Sequence, residues 1–276
     1  MVGETLEPVA PPEPRVRVYL AGGIALRGPG GEIVGEHELG SRQARLLFVR
    51  LAAIHEPVPH VELADDLWGP DWPPAWEVAL RALISKLRSL LARAGAPGSL
   101  VSGSGAYALH LPAGSWLDID AARAAVHDAE TARADGRPAA ACGWALAARS
   151  ITTRPILAGE ESEWLERIRR QLVDVRLRSL ECLGEIWIAQ GDPGLASRDA
   201  MEAIDIDPYR ETAHRLLVRA YLAAGTAGPP LEHSRLAGAC SKRISALRQA
   251  PRPFVSWPTQ PVEPADMERR LAATTS

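Results

Sequence analysis

Residues 72–111 constrain this chain more than any other stretch. They read WPPAWEVALRALISKLRSLLARAGAPGSLVSGSGAYALHL. Proline fits a helix only in its first turn, so Pro74 predicts a helix start and Gly95 its end. On a helical wheel Leu80, Leu83, Ile84, Leu87, Leu90 and Leu91 share one arc. Arg81, Ser85, Arg88 and Ala92 share another, with Lys86 and Arg93 on its flank. Ser99–Ser102 and Ala106–Leu111 then alternate as two strands joined by Gly103-Ser104-Gly105, a hairpin signal. A lone amphipathic helix with a hairpin cannot bury its apolar arc. The preceding residues must therefore supply the rest of a small core.

Those residues have the means. Arg15–Leu26 and Gly31–Leu39 read as strands separated by Gly-Pro-Gly-Gly. Ser41 offers an N-cap to a helix carrying Leu46, Leu47, Val49, Leu51 and Ile54, which Pro57 and Pro59 end. A short helix over His60–Trp68, with Leu63, Leu67 and Trp68 inward, stops at Gly69-Pro70. Strands, three helices and a hairpin make the order of a winged helix-turn-helix, an α+β unit. In such a unit the third helix and the hairpin face DNA.

Charge sharpens that reading by its placement. The net charge of the 276 residues is −3, which offers no global case for nucleic acid. Basic residues are nearly all Arg, in keeping with a GC-rich coding sequence, since Lys86 and Lys242 are the only lysines. From Pro74 to Pro112, however, Arg81, Lys86, Arg88 and Arg93 face a single acid, Glu77. The stretch Glu56–Asp71 holds acids and no Lys or Arg.

Beyond Asp118 the chain turns helical and Ala-rich. Helices are predicted over Asp118–Ala134, Pro138–Ser150, Glu161–Gln190, Gly194–Ile204, Tyr209–Ala224 and, more weakly patterned, Leu231–Gln249. Brief Gly/Pro/Asp turns between them predict stacked helical hairpins. IDIDPYRETAHRLLVRAYLAAG is similar to a tetratricopeptide repeat. The expected division is a disordered lead-in over 1–14, a winged-helix domain over 15–112, an all-α tetratricopeptide-like domain over 113–250 and a Pro-rich flexible tail over 251–276.

The order and spacing of several motifs resemble the Streptomyces antibiotic regulatory protein (SARP) family. These are Ser41-Arg42-Gln43-Ala44-Arg45-Leu46-Leu47, Leu67-Trp68-Gly69 before Pro73-Pro74, Ile84-Ser85-Lys86-Leu87-Arg88, Gly105-Ala106-Tyr107-Ala108-Leu109 and Asp118-Ile119-Asp120. Trp164-Leu165-Glu166 through Gly191-Asp192, and Pro208 to Gly225, continue the likeness. The resemblance implies an OmpR-type winged helix followed by a bacterial transcriptional activation domain. It implies an activator that binds direct repeats in double-stranded promoter DNA, as a homodimer on such repeats, and recruits RNA polymerase holoenzyme to secondary-metabolite genes such as those of antibiotic biosynthesis. It also places the loop before the third helix, with Asp71 and Trp72, against polymerase.

The residues give that reading a chemistry. A major groove about 12 Å wide admits one helix, Arg reads guanine O6/N7 and Ser donates or accepts. Arg81, Ser85 and Arg88 are therefore the expected base readers, and Lys86 and Arg93 the phosphate contacts. Ser102, Gly103 and Ser104 form a wing tip without charge, where relatives carry a basic residue. Weaker DNA binding is expected for it. A protein-interaction regulator with weakened DNA binding is the alternative.

Catalysis is not expected: no phosphate-binding loop, dinucleotide fingerprint, zinc-protease motif or nucleophile elbow is present. Cys142, Cys182 and Cys240 lack metal-ligand spacing and read as buried thiols, and no cofactor or metal is implied. With neither a membrane-length apolar run nor a signal-like N-terminus, a soluble cytoplasmic, nucleoid-associated protein is expected.

Overall fold

The computed structural model describes residues 16–226 and divides into two units, one ending at Leu117 and the other starting at Asp118. The lead-in over 1–14, the helix over Leu231–Gln249, Cys240 and the tail over 251–276 lie outside the described residues.

The first unit begins with β1 (Arg17–Tyr19), β2 (Ala25–Arg27) and β3 (Ile33–Gly35). Together with β7 (Trp116–Leu117) they form a sheet in the order β3-β2-β1-β7. Its pairs are antiparallel except for β1 with β7, which run parallel. The single strand expected over Arg15–Leu26 is two strands. Gly22 and Gly23 take φ of +84° and +146°, a reversal that a β-branched residue could not make. Glu36–Leu39, expected as strand, is a helical turn, α1. There the Glu38 carboxylate accepts from the Gly35 N–H at 3.2 Å.

Helix α2 (Arg42–Ala53) starts at the predicted cap, where Ser41 Oγ accepts from the Ala44 N–H at 3.2 Å. Helix α3 spans His60–Trp68, as its pattern predicts, and α4 spans Trp76–Arg93. The two prolines before α4 lie outside it, and the Pro73 carbonyl accepts from the Trp76 N–H at 2.9 Å. The hairpin is β5 (Leu100–Gly103) and β6 (Ala106–Leu109). β4 (Val58–Pro59), unforeseen in the sequence, pairs with β6 through Val58–Tyr107 and Pro59–Ala106. The core joins Leu46, Leu47, Phe48 and Leu51 of α2 with Leu63 and Leu67 of α3 and Leu80, Ile84 and Leu87 of α4, all essentially solvent-free. Arg50 is buried among them but paired: it donates to Asp66 at 2.6 Å and to Glu62, tying α2 to α3.

The second unit, as described, is helical throughout: α5 (Asp118–Ala134), α6 (Pro138–Thr152), α7 (Glu163–Ala189), α8 (Pro193–Ile206) and α9 (Glu211–Thr226). Small residues let these helices approach closely. A Cβ at Gly184 would lie 2.3 Å from Leu216 Cδ2, so any larger residue there forces the Leu216 side chain to move where α9 packs on α7. Cys142 and Cys182 are buried thiols in the apolar cluster around Trp187, and burial pushes the Cys182 thiol up to about 11. Trp187 Nε1 donates to buried Asp199 at 2.9 Å, and Asp199 also accepts from Arg149 at 2.8 Å. Strands and helices in this order make a winged helix-turn-helix unit followed by a helical, tetratricopeptide-like unit.

Candidate nucleic-acid interface

Helix α4 is amphipathic because its leucines recur at three- and four-residue steps. Leu80, Ile84, Leu87 and Leu91 are buried, which turns the opposite arc outward. That arc carries Val78, Arg81, Ala82, Ser85, Arg88, Ser89 and Ala92, all exposed. The sequence reading found Arg81, Ser85, Arg88 and Ala92. It passed over Val78, Ala82 and Ser89, which the same wheel angles place in the middle of the outward arc.

The hairpin beside α4 closes through a two-residue turn, Ser104-Gly105, with φ of +50° and +73° and the flanking pair Gly103–Ala106. Two successive left-handed residues are the geometry of a type I′ turn, whose twist matches that of the strands. Two contacts tie the turn end of this wing to the start of α3. The Gly105 carbonyl accepts from the His60 N–H at 2.9 Å, and the His60 ring stacks on Tyr107 with centroids 4.4 Å apart. Ser102, Gly103 and Ser104 are exposed at its end.

The four bases of α4 do not stand alike. Arg88 Nε donates to the Leu100 carbonyl at 3.1 Å and its Nη2 to Ser102 Oγ at 3.4 Å, so this side chain braces the helix against the wing. Lys86 Nζ donates to the Leu39 carbonyl at 2.7 Å, at the end of α1. Both partners are neutral, so both cationic charges stay uncancelled. Arg93 meets Glu38 at 2.6 Å. The Arg93 guanidinium, helped by the Gly35 N–H, holds the Glu38 carboxyl below its usual range, so that pair is neutral at physiological pH. Arg81 reaches Glu77 at 3.8 Å, one helical turn away. It is the base of α4 least engaged with its own domain.

The loop joining α3 to α4 is fixed by aromatic contacts. Trp72 Nε1 donates to Asp65 Oδ1 at 3.1 Å, and the Trp72 and Trp76 rings meet at 4.9 Å and 59°. Asp71 is exposed and Trp72 half-buried. The structure thus brings Arg88 together with Ser102. It joins Lys86 and Arg93 to α1, and keeps Asp71 and Trp72 on the separate loop. Among the described residues no His/Cys/Asp/Glu group could hold a metal ion, and no helix is long and apolar enough to cross a membrane.

Comparisons with known proteins agree with this architecture. Residues 117–243 match the bacterial transcriptional activator domain family. The regulatory protein AfsR of Streptomyces coelicolor is 32% identical over 164 residues, which is 59% of this chain and 16% of that protein. The structure of Mycobacterium tuberculosis EmbR, solved with a low-affinity phosphopeptide, superposes with a TM-score of 0.68 at 21% identity. It covers 95% of this chain and 66% of that one. At that identity the likeness speaks for the fold alone.

Proposed function

We propose that this chain is a SARP-type activator that grips promoter DNA with α4 and the β5–β6 wing. The observation that carries this reading is the outward arc of α4. It is polar and cationic over an 18-residue helix and is braced to an exposed hairpin by Arg88. A helix of this kind fits a major groove, where Arg81, Ser85 and Arg88 would meet base edges. Lys86 and Arg93 would lie toward phosphates, and the backbone N–H groups and hydroxyls of Ser102, Gly103 and Ser104 would meet the backbone beyond them. The loop with Asp71 and Trp72, held stiff by its aromatic contacts, would present itself to RNA polymerase. Direct repeats occupied by two copies, and secondary-metabolite genes as targets, follow from the family likeness and belong to the same proposal.

A second reading has its own support. The wing tip is uncharged, and three of the four bases on α4 are already bonded to other elements of the domain. A regulator working through its helical unit, with DNA binding weakened, would look like this. Mobility shifts on the chain's own upstream region separate the two, using wild type, Arg81→Ala and Arg88→Ala at several salt concentrations. The DNA-reading proposal expects wild type to bind and both variants to bind less. Binding unchanged in both variants removes α4 as the reader. No shift at low salt, with polymerase present, favours the interaction regulator.

A further inference from the structure

Val78 is an apolar side chain left open to water: a β-branched residue near the start of α4, 60% exposed. Its backbone is satisfied, since its N–H donates to the Ala75 carbonyl at 3.0 Å, so helix capping does not require valine. Intrinsic propensity does not favour it either, because a β-branched residue is a poorer helix former than alanine or a straight-chain residue. Other apolar side chains of the first unit are exposed too, namely Ile33, Val61 and Val101. Val78 differs in sharing one helix face with Arg81, Ala82 and Ser85, which follow it by three, four and seven residues.

We infer that Val78 is a specificity-determining residue that packs on the 5-methyl group of a thymine; the inference rests on the DNA-reading proposal for α4. Residues near the N-terminus of a recognition helix are the ones that reach base edges. A valine has nothing to offer a phosphate, and the thymine methyl is the apolar group that the major groove displays. The cationic flank of Arg81, Lys86 and Arg88 supplies attraction to a polyanion around this apolar spot. Residues three apart on a helix face have Cβ atoms about 5–6 Å from each other, and stacked bases rise about 3.4 Å. Val78 and Arg81 would then read base pairs one or two steps apart. The sequence class is a thymine within two base pairs of the guanine that Arg81 reads.

Uracil in place of thymine deletes only that methyl, which makes the test chemical. The full chain selects a duplex from a randomised library, and each thymine of the selected site is replaced singly by uracil. Binding is measured for wild type, Val78→Ala and Arg81→Ala. At one thymine, two base pairs or fewer from the guanine whose preference Arg81→Ala abolishes, uracil should weaken wild type about 4-fold, the factor that burying one methyl supplies. Val78→Ala should bind the thymine duplex about as weakly and lose its sensitivity to uracil. Wild type indifferent to uracil at every thymine overturns the inference, as does Val78→Ala retaining the full effect. If Arg81→Ala still loses a guanine preference in that case, α4 remains the reader and only the role of Val78 falls. If no duplex is enriched, or both variants bind the selected duplex as wild type does, the DNA-reading proposal falls and takes the inference with it.

Discussion

The salt dependence of DNA binding should be shallow for a transcription factor, and the structure says how shallow. Log K falls with log salt by about 0.9 per phosphate neutralised, so the slope counts the cations the interface can present. On α4, Arg93 is cancelled by Glu38 at 2.6 Å. Lys86 and Arg88 keep their charge because their partners are carbonyl and hydroxyl oxygens. The Arg81–Glu77 contact is at 3.8 Å with both side chains 64% exposed, and an open pair of that kind separates at little cost. The wing end, Ser102 to Gly105, contributes no cation. Three charges give a slope of about −2.7, so raising salt from 50 to 200 mM should weaken binding by about 40-fold, against a thousandfold or more for proteins with six to ten phosphate contacts. Lys86→Ala, which removes a cation placed toward phosphates, should flatten the slope to about −1.8. Fluorescence anisotropy of a labelled upstream duplex, titrated at four salt concentrations, measures both numbers. A wild-type slope steeper than about −5, or a Lys86→Ala slope equal to wild type, would refute the reasoning by placing the phosphate contacts elsewhere in the chain.

Other substitutions probe the wing and the helical unit. Gly103→Arg places a cation at a wing position where an added Cβ meets nothing within 4 Å; it should steepen the slope by about 0.9 and tighten binding at low salt, and an unchanged slope would show that the wing does not reach the backbone. Gly184→Ala should cost about 1–3 kcal/mol in urea unfolding, the usual penalty of overpacking, because the new Cβ meets Leu216 at 2.3 Å. That penalty should vanish when Leu216→Ala is the background, and additive costs would count against the contact. Asp199→Ala should cost about 2–3 kcal/mol by the same assay, since it orphans the buried Trp187 N–H and breaks one of the Arg149 pairs. A loss under about 1 kcal/mol would mean that water satisfies both donors.

How much of this was legible in the sequence depended on range. Ser41 capping α2, the bounds of α3 and the buried leucines of α4 follow from patterns a few residues long, and local patterns survive folding. The break at Gly22-Gly23 lay inside an alternating apolar run, where two glycines compete with a strand signal and the turn wins. β4 could not be read at all. Two residues, one of them proline, become a strand only because Tyr107 and Ala106 arrive from about 50 residues away to pair with them. The same limit hid the fates of the four bases of α4. Their spacing shows which way they point, but Lys86 finds the Leu39 carbonyl and Arg93 finds Glu38 only in the folded domain. Val78 was a different kind of miss. Its wheel angle was available, and attention to charge passed over an apolar residue on a polar arc.

The engaged bases need not mean a disabled interface. Holding a long cationic side chain still costs up to about 2 kcal/mol of rotamer entropy, and a base that is loose before binding incurs that loss on the DNA. Lys86 and Arg88 have incurred it already, through bonds within the domain. Each also keeps donors in reserve, since an ammonium has three and a guanidinium five, and the bonds described use one from Lys86 and two from Arg88. On the DNA-reading proposal the Arg88 brace has a second task, because a wing fixed to α4 would meet the backbone only in register with the groove that α4 would occupy. On this argument a chain with few net cations can still place them well. Its deficit is in the long-range attraction that many charges provide, and less in the fit once bound. The neutral wing should therefore slow association at a given salt more than it hastens dissociation. Stopped-flow rates for Gly103→Arg decide the matter: the added charge should raise the association rate several-fold and leave dissociation nearly constant, and a change confined to dissociation would show that the wing was short of contacts and not of charge.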